Sequence, residues 1–396
     1  MSIEPAAREA ATIPTSDELV ARAAAMVPEV RARAAEAEQL GRLPDSTVAE
    51  MKAAGFGRTL RPAFYGGFEK DYRTFGRIVR EMGRGCASSG WCAGTWMSQA
   101  MTLARYPKQA QDEICGDDPD VFIGSTAVPG GKAVPVEGGC VVNGRWSFAS
   151  GIHHAGWMSV GVLMPEGPIR GMMLPTNQVE ILDTWNVMGL RGTGSTDFVA
   201  KDLFVPEHRS IDGASWVWKP AREPLVTGPL RNHGAGTTQV SSSIFAPSAV
   251  GNAEGFIDAF VEGAGNRTIT YARTKQSEHV GTQQRLAESA IEVDTAWMLL
   301  QRCYDVLDEH ANTGRIPSET RSRMRRDTAF AVNVCYRAIN RVFEVSGAHA
   351  LQTSGELQRR WRDAHAIASQ PNFHFDFEAE TWGRLKLGLE HHHPSL

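Results

Sequence analysis

No stretch of the 396-residue chain is long and apolar enough to cross a bilayer, which excludes a helical membrane protein. There is no dense basic block, and 41 basic against 45 acidic residues leave a net charge of −4. Nucleic acid and anionic membrane surfaces are therefore excluded as main partners. The six cysteines (Cys86, Cys92, Cys115, Cys140, Cys303, Cys335) never fall at CxxC spacing. That excludes a zinc ribbon and favours free thiols in a reducing cytoplasm over a disulfide framework. No HExxH or HxxxH spacing occurs, so no metal site is expected, and His391-His392-His393 is read as an incidental tail. A GxSxG elbow, a P-loop and a nicotinamide-binding Rossmann fingerprint are also missing. Glu4, Glu9, Asp17 and Glu18 near the start argue against a signal peptide, and a soluble cytoplasmic chain is expected.

What is present is ordinary globular material. An apolar content of 42% with 22% charged residues supports a sizeable core, and the length suggests two or three units. From Ser16 to about Gln111 the periodicity is helical. Ser16-Asp17 caps a first helix, Asp45-Ser46 opens another that Gly55 closes, and two more follow over Lys70–Met82 and Ser88–Tyr106. Near Val121 short β-type runs take over: Val121–Ser125, Cys140–Trp146, Trp157–Leu163, Gly171–Leu174, Val179–Trp185 and Asp197–Val205. Gly138-Gly139 and Asn143-Gly144 read as hairpin turns. Glu207 to Gly236 reads as a long polar loop. Helical periodicity returns at about Val240, with Val280–Val306 and Asp327–Phe343 long enough for main bundle helices. The expected division is 1–120 helical, 121–236 β and 237–396 helical.

The chemistry-bearing segment is Trp146-Ser147-Phe148-Ala149-Ser150-Gly151. An aromatic platform with short hydroxyl donors at a strand exit suits stacking and hydrogen bonding to a planar aromatic cofactor, and a simple turn is the competing reading. Gly189-Leu190-Arg191-Gly192-Thr193-Gly194-Ser195 is glycine-rich but opens no helix, so a structural turn is expected there. Arg267, Arg273, Arg285, Arg325 and Arg326 dot the C-terminal helices. Most such charges are solvated or paired, and spacing does not say which one would bind a phosphate.

These pieces in this order resemble the acyl-CoA dehydrogenase superfamily. The helix–β–helix layout carries the resemblance together with Asn143–Gly151, Gly189–Asp197 and Gly355-Glu356-Leu357-Gln358-Arg359-Arg360-Trp361-Arg362-Asp363. More closely the chain is similar to the two-component flavin-dependent monooxygenases of that superfamily, the oxygenases of 4-hydroxyphenylacetate, steroid phenols, indole and dibenzothiophene. The resemblance implies an α+β chain with an N-terminal helical domain, a central β-barrel or sandwich and a C-terminal four-helix bundle. It implies a homotetramer that takes reduced flavin, usually FMN with FAD also possible, from an NAD(P)H:flavin reductase. The flavin would react with O₂ to a C4a-hydroperoxyflavin that hydroxylates a small aromatic substrate.

Site residues follow from the same resemblance. Ser150 matches the serine near flavin N5, with Trp146 and Ser147 on the same wall and Trp91 at the flavin and substrate pocket. Arg273 matches a phosphate-binding arginine at the start of a long helix, and Gln284 follows it. Met97, Met101, Gln99 and the Phe373–Phe377 segment bear on the substrate pocket, where Gln99 stands near a family histidine. Phe373, Phe375 and Phe377 form either an aromatic lid or a buried helix face. His154 matches a recurring histidine without an assigned role. Gln370 stands where the oxygenases place a histidine near the reacting oxygen; its amide donates a hydrogen bond but no proton, so either Gln370 itself stabilises the hydroperoxide or His365 or His374 takes over. The dehydrogenase base, in a Glu-Gly-Thr motif after the Arg-Asp pair, falls on Pro371-Asn372, which favours the oxygenase. A dehydrogenase or oxidase with its carboxylate elsewhere, or a non-catalytic flavin-binding scaffold, stays open.

Overall fold

The computed structural model of the chain describes residues 13–116, 118–165, 167, 169–213, 237–310, 316–393 and 396. Helix α1 (Ser16–Ala32) begins one residue earlier than expected, at Thr15. The Thr15 hydroxyl accepts from the Glu18 N–H, and the Glu18 carboxylate accepts from the Thr15 N–H. This reciprocal cap satisfies two donors that a helix leaves open at its start. Helices α2 (Ala34–Leu40), α3 (Asp45–Ala53), α4 (Tyr72–Gly85), α5 (Ala87–Leu103) and α6 (Lys108–Cys115) complete the N-terminal group. Gly55 follows α3 in the left-handed conformation, as its position suggested. Every residue of α5 is buried, which fits its apolar and small composition.

Eight strands form one mixed sheet: β1 (Ile123–Ser125), β2 (Gly131–Val136), β3 (Gly139–Trp146), β4 (Trp157–Leu163), β5 (Arg170–Pro175), β6 (Glu180–Ile181), β7 (Phe198–Pro206) and β8 (Ser210–Asp212). Their order is β6-β7-β3-β2-β4-β5-β8, with β1 added parallel to β4. Gly138 makes the β2–β3 hairpin with a φ of 77°, as expected. Asn143-Gly144 does not turn the chain. It lies inside β3 at a bulge, where the Asn143 side chain bonds Asp202 on β7. The extra residue of the bulge is on β7, where Asp202 takes a φ of 49°, while Gly144 lies in regular pairing with no room for a Cβ against Gly131, so the dipeptide misleads. Of Val179–Trp185 only Glu180 and Ile181 pair with β7. Beyond them Thr196 Oγ1 accepts from Thr184 N and replaces the ladder. Strands β2 and β8 have no clear signature, since β2 holds Gly131 and Pro135 and β8 lies inside the stretch read as a loop. The rest of that stretch, 214–236, lies outside the described residues.

The C-terminal part consists of α7 (Thr237–Ala264), a small hairpin β9 (Thr268–Ile269) and β10 (Thr274–Lys275), and helices α8 (Val280–His310), α9 (Ser318–Phe343), α10 (Glu356–Ala368) and α11 (Phe375–Lys386). Helices α7 to α10 pack on one another as a bundle, and α4 lies along α7. One hydrophobic core runs through both helical groups, from Leu19 and Phe75 to Leu300 and Ile339, while the sheet keeps its own core. Charged groups close the joints between them. Asp308 on α8 accepts from Tyr72 N and Arg73 N and so caps α4 from another helix, and burial pushes its carboxyl up to about 6. Arg360 on α10 donates to the Arg84 and Gly85 carbonyls at the other end of α4.

Helices α4, α5 and α7 approach so closely that only glycine fits between them. A Cβ on Gly83 would lie 2.8 Å from Ser248 Cα, one on Gly90 would lie 2.8 Å from Gly83 Cα, and one on Gly251 would run into the Arg80 carbonyl. Backbone atoms cannot swing aside as a side chain end does. Gly251→Ala is therefore expected to destabilise the chain by about 1–3 kcal/mol through overpacking. Urea unfolding checks this, and an unchanged midpoint would show that the helices separate freely.

Candidate active site

The β3 exit and the turn after β6 are stitched together by their backbones. Ala149 N donates to Thr196 O, Gly151 N donates to Thr193 O at 2.8 Å, and the Cys92 thiol on α5 also reaches Thr193 O. Gly151 is required here: its φ is 72°, and a Cβ would strike the Trp96 indole. The stitching seats Ser150 beside α5. Trp91 Nε1 donates to Ser150 Oγ at 3.1 Å, and Ser150 Oγ lies 2.7 Å from Ser195 Oγ. Ser195 Oγ in turn lies 2.7 Å from Thr193 Oγ1, which donates to the Leu190 carbonyl at 2.8 Å. All four side chains are buried. The Trp91 ring stacks on Phe245 of α7 with centroids 4.1 Å apart, so three parts of the chain meet at this point.

The turn at 189–193 is held from the C-terminal bundle. Leu190 adopts a left-handed conformation that is costly for a side chain of its kind, with φ 54°. Asp363 on α10 holds it there by accepting from Leu190 N at 2.6 Å, while Arg362 donates to the Met188 carbonyl. Gly189 packs against the Arg362 carbonyl with no room for a Cβ. Burial pushes the Asp363 carboxyl up to about 6, against the opposing pull of the Leu190 N–H, Arg359 and Arg362.

Two further surfaces adjoin this centre. Phe148, with φ 61°, is exposed at the strand exit and meets Trp185 edge to face at 6.1 Å. A strained aromatic residue left open beside a buried hydroxyl is the kind of outlier that marks a ligand site. Along α5 runs a buried polar face. Gln99 Nε2 donates to Ser125 Oγ at 3.1 Å, but Gln99 Oε1, Thr102 Oγ1 and Thr126 Oγ1 find no hydrogen-bond partner among the described residues. Buried polar atoms without partners are costly, and their grouping points to a polar ligand group. The set fits a flavin ring with an aromatic co-substrate: aromatic surface, a buried hydroxyl and a separate polar wall.

Comparison with known proteins agrees. Residues 15–114 match the acyl-CoA dehydrogenase N-terminal domain model, and residues 243–374 match its C-terminal domain model. The flavin-dependent monooxygenase oxygenase subunit HsaA of Rhodococcus jostii (strain RHA1) is 38% identical over 86% of this chain and 91% of its own length. The chain belongs to the flavin-dependent monooxygenases of the acyl-CoA dehydrogenase superfamily. Another member, the FADH(2)-dependent resorcinol hydroxylase oxygenase component of Rhizobium sp. (strain MTP-10005), is 30% identical over 94% of both chains. The structure of XiaF from Streptomyces sp. in complex with FADH2 and glycerol superposes with a TM-score of 0.90 at 29% identity. It covers 96% of this chain and 98% of the other.

Against that monooxygenase frame the expected site residues separate. Trp91 and Ser150, both expected at the flavin, are brought into hydrogen-bond contact. Trp146 does not line an open wall: it is fully buried in the sheet core, bonded to the Gly161 carbonyl and stacked on Phe198. Ser147 is exposed beside it. Arg273 lies in the exposed β9–β10 hairpin rather than at a helix start, and the structure does not bring it to Ser150. Gln284 lines an open groove of about 650 Å³ with Arg285, Tyr336 and Asn340.

His365 packs on Tyr336 and Trp361, and its Nδ1 donates to the Trp361 carbonyl at 2.8 Å, which leaves Nε2 open. Gln370 uses its amide oxygen to cap the turn at 371–373. His374 is exposed at the start of α11. Met97 and Met101 are buried, and Met101 Sδ accepts from Tyr72 OH. The three phenylalanines make no lid: Phe373 is buried, Phe375 packs on Phe330 and Phe377 on His393. His154 has a structural contact, 3.0 Å from Asp45 at the start of α3.

Thr193, Ser195 and Asp363 lie in segments that carry the resemblance, but a sequence reading gives none of them a role. The only local signal is the alternation of hydroxyls on a glycine-rich turn. Asp363 supplies a pH test. A carboxyl pushed up from its usual value stabilises the fold below pH about 4, and this stability is lost as pH rises through about 6. Asp363→Asn keeps an acceptor for Leu190 N but cannot ionise. It is expected to equal the parent near pH 4 and to exceed it by about 1–3 kcal/mol at pH 7.5. Denaturation midpoints at the two pH values check this, and parallel pH profiles would refute it.

Proposed function

We propose that the chain is the oxygenase component of a two-component phenol hydroxylase, using reduced flavin delivered by a separate NAD(P)H:flavin reductase. The observation that carries the reading is the buried Trp91–Ser150 contact, together with the unpartnered polar atoms of Gln99 and Thr102 two to three turns further along α5. Reduced flavin, when bound, supplies the electrons that activate O₂, so that one oxygen atom enters the substrate and the other leaves as water. Relatives at 29–30% identity name reduced FAD, which is favoured over FMN although both share the ring. Resorcinol and p-hydroxyphenylacetate, named for relatives at 30% identity, are phenols.

The chain's own residues have defined tasks in this reading. Ser150 and Trp91 hold the polar edge of the ring, and the open faces of Phe148 and Trp185 contact its apolar part. Gln99 Oε1 accepts a hydrogen bond from the phenol hydroxyl, and Thr102 and Thr126 complete the polar wall. The closed core around α5 excludes water from this space, which strengthens each of these contacts. His365 is the group that takes up or returns a proton, at Nε2. Gln370 cannot exchange a proton, and its amide oxygen is already engaged. Arg273 and Gln284 serve the flavin phosphate in the assembled oligomer. A cytoplasmic location is supported by the six cysteines, all free and buried.

The test is turnover with a reductase, NADH, ¹⁸O₂ and a panel of phenols. One ¹⁸O per hydroxylated product is expected. Gln99→Leu is expected to lower kcat/KM for phenols by about three- to tenfold through the lost hydrogen bond. No labelled product, with reduced flavin reoxidised as fast as free flavin, would end the proposal.

A homotetramer is part of the same reading. Ile291 and Met298, seven residues apart on α8, leave an apolar stripe open (65% and 66% exposed), and packing of α8 against a second copy would cover it. Light scattering should give four times the chain mass. Ile291→Glu with Met298→Glu should lower that mass, and a monomeric parent would exclude the assembly.

A further inference from the structure

The chain of hydroxyls at Ser150 has only one possible direction. Its far end is the Leu190 carbonyl, which holds no proton, so the Thr193 hydroxyl must donate to it. Having given its single proton there, Thr193 Oγ1 can only accept from Ser195 Oγ, 2.7 Å away. Ser195, with its proton committed to Thr193, must accept from Ser150 Oγ, also 2.7 Å away. The near end agrees independently. The Trp91 indole is a donor only, so Ser150 Oγ accepts a hydrogen bond on that side and keeps one further lone pair. Every side chain in the series is buried, and water does not compete to reverse it.

From this geometry we infer that Thr193 and Ser195 are positioning residues that force Ser150 to present a lone pair and no proton, and that they thereby select reduced over oxidised flavin. The inference rests on the reading above that places Ser150 at flavin N5. Reduced flavin carries an N–H at N5 and donates to the waiting lone pair. Oxidised flavin carries a lone pair at N5, and two acceptors then face each other in a dry site. An oxygenase that borrows its electrons needs this discrimination, because it must accept the ring charged and release it spent. The selectivity resides in a turn 45 residues away from the serine that expresses it.

The test is binding, read without turnover. Oxidised FAD and FMN are titrated aerobically, and the dithionite-reduced flavins are titrated anaerobically, against the parent, Thr193→Val, Ser195→Ala, Thr193→Ser and Ser150→Ala. The parent is expected to bind reduced flavin more tightly. Thr193→Val and Ser195→Ala each release the Ser150 proton, so affinity for oxidised flavin should rise. The ratio of the two affinities should then narrow by about tenfold, the value of one hydrogen bond at the upper end of its range. For a two-electron couple this is a fall of about 30 mV in the potential of the bound flavin, relative to the parent. Thr193→Ser keeps the hydroxyl and should keep the parent ratio, which a purely packing role of Thr193 would not predict. An unchanged ratio in Thr193→Val and Ser195→Ala, with a changed one in Ser150→Ala, overturns the inference and leaves the flavin site standing. An unchanged ratio in all of them overturns both.

Discussion

The hydrogen bond from Leu190 N to Asp363 holds the rest of the site in place. It joins the C-terminal bundle to a loop of the β-unit, and it keeps Leu190 in a conformation that the isolated turn would avoid. Once Leu190 is set, its carbonyl gathers three donors: Thr193 N, Thr193 Oγ1 and Trp185 Nε1. The hydroxyl series ending at Ser150 and the aromatic surface at Trp185 therefore hang from one peptide unit. The buried carboxyl that anchors it is destabilising in its charged form, and this cost is borne at the point where position matters most.

The layout was legible because it rests on local rules. Helical periodicity, turn residues and the change to short β-type runs are properties of neighbours in the chain, and α5, β4 and α8 fell close to where those rules put them. The errors were local as well. Asn143-Gly144 has the residues of a turn, but its neighbours on both sides continue one strand that pairs with β7 across a bulge. Trp146 could have been read correctly from strand alternation. Cys140, Val142 and Trp146 share parity, and all three are buried in the sheet core. A tryptophan beside serines suggested a cofactor wall, and the period of the strand was the better guide.

The site itself was only partly legible, for a different reason. Ser150 was singled out through family resemblance, but its surroundings come from Trp91, 59 positions before it, and Ser195, 45 positions after it. Such pairings leave no trace in the spacing of a single sequence. The same holds for Asp363 and Leu190, 173 positions apart. The exchange of a histidine for Gln370 was visible, but its meaning was not. The amide oxygen of Gln370 caps a turn, while His365 on the preceding helix keeps one ring nitrogen open, which is why the proposed function gives the proton to His365.

The two halves of the site also differ in how they meet a ligand. The hydroxyl series is satisfied from end to end, so a ligand at Ser150 must conform to it. The α5 face is the reverse: Gln99 Oε1, Thr102 Oγ1 and Thr126 Oγ1 are buried without partners among the described residues. Each such atom costs about 1–3 kcal/mol until something supplies its hydrogen bond. A hydroxylated ring entering that space relieves the cost, and a ring without a hydroxyl leaves it in place. In the proposed function, discrimination at the substrate thus rests on an unsatisfied wall, and discrimination at the flavin on a fully satisfied one. A rigid donor series suits a cofactor of fixed shape, and open acceptors suit substrates that share a hydroxyl and little else.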